Sequence, residues 1–129
     1  EAHPVPVTML TMNVVVAETA EEAQRRALPQ ARGFARLRSG RPLLAMETIE
    51  AAVAAPDAEL DAAAAAVAAQ WIVDAPEAAA ARIRTLATTH GVDEVMLSPS
   101  AGSYADEPMD ASPGREATLR LLVEALSAA

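Results

Sequence analysis

The chain has 129 residues, 52% hydrophobic and 22% charged, which is enough for one modest core and too apolar for a disordered segment. Its formal net charge of −8 argues against a surface for nucleic-acid phosphates or anionic lipid. The absence of cysteine removes disulfides, thiolate metal sites and cysteine nucleophiles, a composition that suits a cytoplasmic protein.

Aromatic residues make up only 2%, so a core has to come from Leu, Ile, Val and Met at a few positions, with alanine adding little area. No run approaches the roughly 18 apolar residues of a membrane span. The N-terminus, Glu1-Ala2-His3-Pro4, has neither an initiator Met nor the pattern of a signal peptide. A chain that opens on Pro4-Val5-Pro6 and passes straight into a strong strand reads as cut from something longer.

Residues 7–17, Val-Thr-Met-Leu-Thr-Met-Asn-Val-Val-Val-Ala, are β-branched and almost wholly apolar, the signature of a strand covered on both faces. Thr19 with Glu22 makes a capping box for a helix from Ala20 towards Leu37, weakened in its middle by Pro29 and Gly33. Ser39-Gly40-Arg41-Pro42 breaks it. A helical insertion follows over 42–70, with one helix over Glu47–Ala55 and a second capped by Asp57 and running through Gln70. Trp71-Ile72-Val73 reads as a short strand, and Asp74-Ala75-Pro76-Glu77 as another capping box. The next helix carries Ala79, Ile83, Leu86 and His90 on one side and stops at Gly91.

A strand over 92–97, Val-Asp-Glu-Val-Met-Leu, leads into a polar loop from Ser98 to Ser112. The final helix, 113–127, has a Leu119, Leu122, Val123, Leu126 stripe. Strands joined through helices are parallel with right-handed crossovers. Residues 1–129 are therefore expected to form one α/β domain with about three parallel strands, part of a sheet or barrel rather than a closed one, since a (β/α)8 barrel takes about 250 residues.

In their order along the chain, several signatures resemble the C-terminal part of the bacterial-luciferase-like, flavin-dependent monooxygenases. Val14-Val15-Val16-Ala17 with Glu18-Thr19-Ala20-Glu21-Glu22-Ala23 is similar to a late barrel strand and its helix, and a long helical insertion follows. Ile72-Val73-Asp74-Ala75-Pro76-Glu77 resembles the family's valine-glycine-small-proline-glutamate turn, with Asp74 where glycine is usual. Gly91 to Leu97 resembles a helix stop and the last barrel strand. Arg115, Thr118 and Leu121-Leu122 resemble the closing arginine-x-x-serine-x-x-leucine-leucine helix, with Thr118 in place of serine.

The resemblance implies the C-terminal part of a TIM-like (β/α)8 barrel that uses reduced FMN and oxygen on a small organic substrate. Most of the flavin contacts would lie upstream of this segment, so the resemblance assigns no catalytic residue within it and leaves it inactive alone. Its partners would be the missing N-terminal barrel part or further copies in a homo-oligomer. A deazaflavin-dependent oxidoreductase of the same superfamily and a non-catalytic, self-associating half-barrel are the alternatives.

In such a barrel the residues just beyond the carboxyl ends of strands face the ligand. That singles out Ser98, Ser100, Ser103 and Tyr104 after the last strand, Asp74 and Glu18 after the others, and Asn13 on the first strand as cofactor- or substrate-loop candidates. The bland readings are self-capping serines in a surface turn, helix-capping acids and a bonded core amide. The Ser98–Ser103 loop lacks a P-loop lysine and a dinucleotide glycine fingerprint, although Gly102 would let backbone approach a phosphate. Trp71 reads as core or interface, with flavin stacking as the long shot. Arg36, Arg38 and Arg41 form a basic spot, a phosphate clamp or a solvated helix end. His3 and His90 have no metal-ligand spacing, so no metal is expected.

Overall fold

The computed structural model describes residues 5–128; His3, expected in a terminal tail, lies outside them. Three strands, β1 (Met9–Val16), β2 (Ile72–Asp74) and β3 (Glu94–Pro99), form one parallel sheet. Spatial order departs from chain order, because β1 is central with β2 and β3 on either side. The pairing is uneven. β3 runs along β1 from Met9↔Glu94 to Val14↔Pro99, whereas β2 meets only Val14, Val15 and Val16.

Helix α1 (Ala20–Arg38) starts where expected, with Thr19 Oγ1 accepting the Glu22 N–H at 3.2 Å. It runs on through Pro29 and Gly33 without a break. Its buried alanines, Ala23, Ala27, Ala31 and Ala35, recur every four residues and make a smooth face on which neighbours sit close. Pro29 is itself buried, so packing offsets the backbone bond that it forfeits.

The insertion holds two helices, α2 (Ile49–Ala54) and α3 (Ala58–Ala68). Instead of starting at Glu47, α2 starts after Thr48, whose hydroxyl accepts the Ala51 N–H at 3.2 Å. Asp57 caps α3 as expected, accepting the Leu60 N–H at 3.0 Å. α4 (Pro76–His90) differs from expectation at its start. Pro76 occupies the first turn, so Ala75 is the cap residue and offers no side-chain bond, while the Asp74 carboxylate accepts the Ala75 N–H at 2.8 Å. Gly91 ends this helix in the left-handed region, φ 62°. α5 (Pro113–Ser127) closes the chain.

Helices cover both faces of the sheet. Val15 and Ala17 pack under α1, α3, Trp71 and Ala101. Met12, Val14, Val16 and Ile72 pack under α4 and α5 through Ala79, Ala80, Ile83, Leu121 and Leu122. Trp71 precedes β2 instead of beginning it, and its ring stacks edge-on against Phe34 with centroids 5.9 Å apart. It is a core residue.

The two faces are not equally covered. On the α1 side only the carboxyl-terminal end of the sheet is roofed. Met9, Thr11 and Asn13 share that face with their register partners Glu94, Met96 and Ser98, because parallel partners point the same way. Met9 is 45% and Met96 53% exposed, and Thr11, Glu94 and Ser98 are exposed as well. Residues Met9–Asn13 of β1 have no strand beside them on the β2 side, and β3 has none on its outer side among the described residues. No described helix is long and apolar enough to cross a membrane.

Candidate functional site

The candidate residues fall into three groups, and the carboxyl end of the sheet organises two of them. The first group is Asn13, Ser98 and Ser100. Asn13 and Ser98 are register partners on the bare face. Ser100 is buried, its N–H donating to Val14 O at 3.0 Å and its hydroxyl lying 3.1 Å from Asn13 Oδ1 and 3.2 Å from Ser98 O. It is therefore a brace for Asn13 and not an open ligand contact. The bond holds the Asn13 amide by its oxygen and leaves its nitrogen without a hydrogen-bond partner among the described residues.

The second group is centred on Tyr104. Its hydroxyl donates to Glu22, 2.8 Å from each carboxylate oxygen. Arg26 lies over its ring, 4.7 Å from the centroid, and bonds Glu22 at 3.2 Å, Glu107 at 2.7 Å and Gly102 O at 3.1 Å. Glu107 in turn accepts the Tyr104 N–H at 2.9 Å. Burial first, and then the Glu22 carboxylate, push the Tyr104 phenol above its usual range. It stays protonated at neutral pH and serves as a donor, never as a base.

Gly102 likewise has a structural use. A Cβ there would sit 2.8 Å from Pro29 Cγ and 3.2 Å from Arg26 O, and its N–H donates to that same carbonyl at 2.6 Å. The close approach that the sequence reserved for a phosphate is made to α1. Of this cluster only the Glu22–Arg26 spacing, four residues apart on one helix, is visible in sequence. Glu107 reaches it from a loop, and no local pattern marks it.

Asp74 and Glu18 form no site with these residues. Asp74 is occupied by its own neighbour's N–H. Glu18 is exposed beside Pro76 and Leu121 at the far side of β1. Of the basic spot, Arg38 is exposed and the other two arginines are held in ion pairs. Arg36 pairs with Glu47 at 3.4 Å, and Arg41 with Asp57 at 2.8 Å and Glu59 at 3.1 Å. Buried Arg32 joins them, pairing with Glu47 and Asp61 at 3.3 Å each and donating to the carbonyls of Ala52 and Ala55 at 2.8 and 2.7 Å. These arginines bind the insertion to α1.

Between the insertion and the loop after β3 lies a cavity of about 470 Å³. Ser103 and Tyr104 line it with Gln30, Thr48, Glu107 and Arg115. Its walls are held together by Ile49 N–H to Ser103 O at 2.9 Å and Ala105 N–H to Glu50 at 2.9 Å. Among the described residues no group of three or more His, Cys, Asp or Glu is placed to hold a metal.

These features define a mixed α/β chain with a three-stranded parallel sheet whose loops and polar side chains gather at the carboxyl end. No family model matches the sequence, and no curated protein matches it. Among solved structures it is similar in fold to a crystal structure of apo-MsnO8, with a TM-score of 0.72 and 22% identity over 98% of this chain. That stretch is 36% of the MsnO8 chain, so the protein described here spans about a third of its structural neighbour.

Proposed function

We propose that this chain is the C-terminal portion of a luciferase-like flavin-dependent monooxygenase, contributing the late strands of a (β/α)8 barrel and inactive alone. The observation that carries the reading is the half-covered sheet. One face is fully packed by α4 and α5, while the other shows Met9, Thr11, Met96 and Ser98 and is flanked by open strand edges. A parallel sheet is stable with both faces covered; α1 and α3 roof only one end of the second face, and in a barrel the strands opposite would cover the rest. The ordered motifs along the sequence and a fold match to about a third of a longer protein support the same reading.

The residues on the bare face fit part of a flavin. The braced Asn13 amide and the Thr11 and Ser98 hydroxyls can hydrogen-bond the polar edge of a flat heteroaromatic ring. Nothing beside them suits its phosphate, since Arg32, Arg36 and Arg41 are engaged elsewhere and Gly102 is packed on Pro29. That grip would come from outside this chain. Bound reduced FMN would supply the oxygen chemistry, while this segment would orient the ring and help exclude water around a small organic substrate.

Titration of the 129-residue chain with FMN tests the reading. The expected outcome is weak binding, with tight binding and substrate-dependent oxygen uptake gained when the chain is expressed together with the coding sequence upstream of Glu1. Stoichiometric, tight FMN binding by this chain alone would overturn it. So would a start codon immediately upstream, which would favour a self-associating module.

A further inference from the structure

The cavity beside Tyr104 adjoins a second depression of about 160 Å³, and the two share Gln30 and Met46. The second is apolar, formed by Phe34, Leu37 and Leu43 around Gly33. Leu37 and Leu43 are 60% and 67% exposed, unusual for two large aliphatic side chains side by side. One cleft therefore has a greasy end and a polar end.

Charge pairing distinguishes the polar end. Glu47 pairs with Arg32 and Arg36, and Glu107 with Arg26, although Arg26 also serves Glu22 and Arg32 also serves Asp61. Arg115 is the remaining charged residue of the lining, and no ion pair engages it among the described residues. An arginine without an ion pair that lines the same cavity as the hydroxyls of Thr48 and Ser103 complements an anion that also accepts hydrogen bonds. The combined volume falls in the range of small-molecule sites.

We infer that this cleft binds an amphiphilic organic acid, with its carboxylate at Arg115, Thr48 and Ser103 and its hydrocarbon body against Phe34, Leu37, Leu43 and Met46. Every wall belongs to this chain, so the inference goes beyond the flavin reading and stands or falls apart from it.

Isothermal titration of the full 129-residue chain with decanoate, decanol and decyltrimethylammonium, all below their micellar concentrations, tests it. Decanoate should bind saturably at one site, and decanol and the cation about tenfold more weakly, the scale of one charge-assisted contact. Arg115→Gln should lower decanoate affinity by about the same factor, and Leu43→Asp should lower it too. Both positions are exposed, so the fold survives either change. Amide shifts on binding should centre on Phe34, Met46 and Arg115. Equal affinity for decanoate and decanol, unchanged affinity in Arg115→Gln, absence of saturable binding, or shifts centred on Met9 and Met96 would each overturn the inference.

Discussion

Thr118 satisfies both hydrogen-bonding capacities of its hydroxyl on one residue of β1, accepting the Val16 N–H and donating to Val16 O, each at 3.1 Å. The residue is fully buried, and the pairing of β3 with β1 ends at Pro99 beside Val14, so the hydroxyl takes over the backbone bonding of Val16 on the side where β3 has run out. Removing it while keeping the shape strands a buried donor and acceptor together. Thr118→Val should destabilise the protein by about 1–3 kcal/mol in urea unfolding. Thr118→Ser, which keeps the bonds and loses one methyl, should cost about 1 kcal/mol. Asp57 is a second residue whose bonds fix its role. The Leu60 N–H first, and then the Arg41 guanidinium, lower its carboxyl below the usual aspartate range. Its contribution is therefore present above about pH 4 and fades as the pH falls through the lowered folded-state value. Asp57→Ala should melt earlier than the parent at pH 7, and the gap should shrink towards pH 2.

At the scale of elements, the insertion is held by charge as well as by the packing of Leu60, Ala64 and Val67 on the alanine face of α1. Arg32 is buried in α1 yet reaches Glu47, Asp61 and the last carbonyls of α2, so one side chain ties three segments together. Its Nε stands 3.3 Å from Asp61 Oδ1 without the alignment of a hydrogen bond, leaving the guanidinium fork directed at the carbonyls. Arg32→Ala should cost about 3 kcal/mol, the scale of breaking a buried pair from one side. The cleavage sites in limited proteolysis should move to residues 41–57. Much of this level is readable from sequence. Thr19, Asp57 and Gly91 each do the local work that their positions imply, because caps and stops depend on neighbours within a few residues. Pro76 misleads, since a proline in the first turn shifts the cap to Ala75 and frees Asp74 for another bond. Arg32, Ser100 and Glu107 stay invisible for a different reason, their partners lying 15 to 87 residues away in sequence. The candidate serines divide accordingly, Ser98 open and Ser100 sealed, although two positions apart.

For the whole molecule, the parallel sheet and helical insertion follow from the pattern of apolar runs, whereas the central place of β1 does not. Nothing in a short strand such as Ile72–Asp74 states which side of β1 it joins. The uneven covering that results gives a direct expectation. Met9 and Met96 lie on the bare face with open edges beside them, so the isolated chain should self-associate and bind a dye that reports exposed apolar surface. The double substitution Met9→Lys and Met96→Lys should reduce both signals in light scattering and fluorescence without lowering the melting temperature, because neither side chain is buried. A parent that stays monomeric and dark to the dye would show that this face is better satisfied than its exposure implies.

The bond between Val16 and Thr118 joins positions 102 residues apart, so β1 is completed by a helix that is translated long after it. Until α5 emerges, Val14 and Val16 lack the Leu121 and Leu122 cover, and the nascent chain holds an unfinished apolar strand while the intervening residues are made. Folding of β1 is thus tied to the emergence of α5, and the strand depends on whatever shields it in the interval.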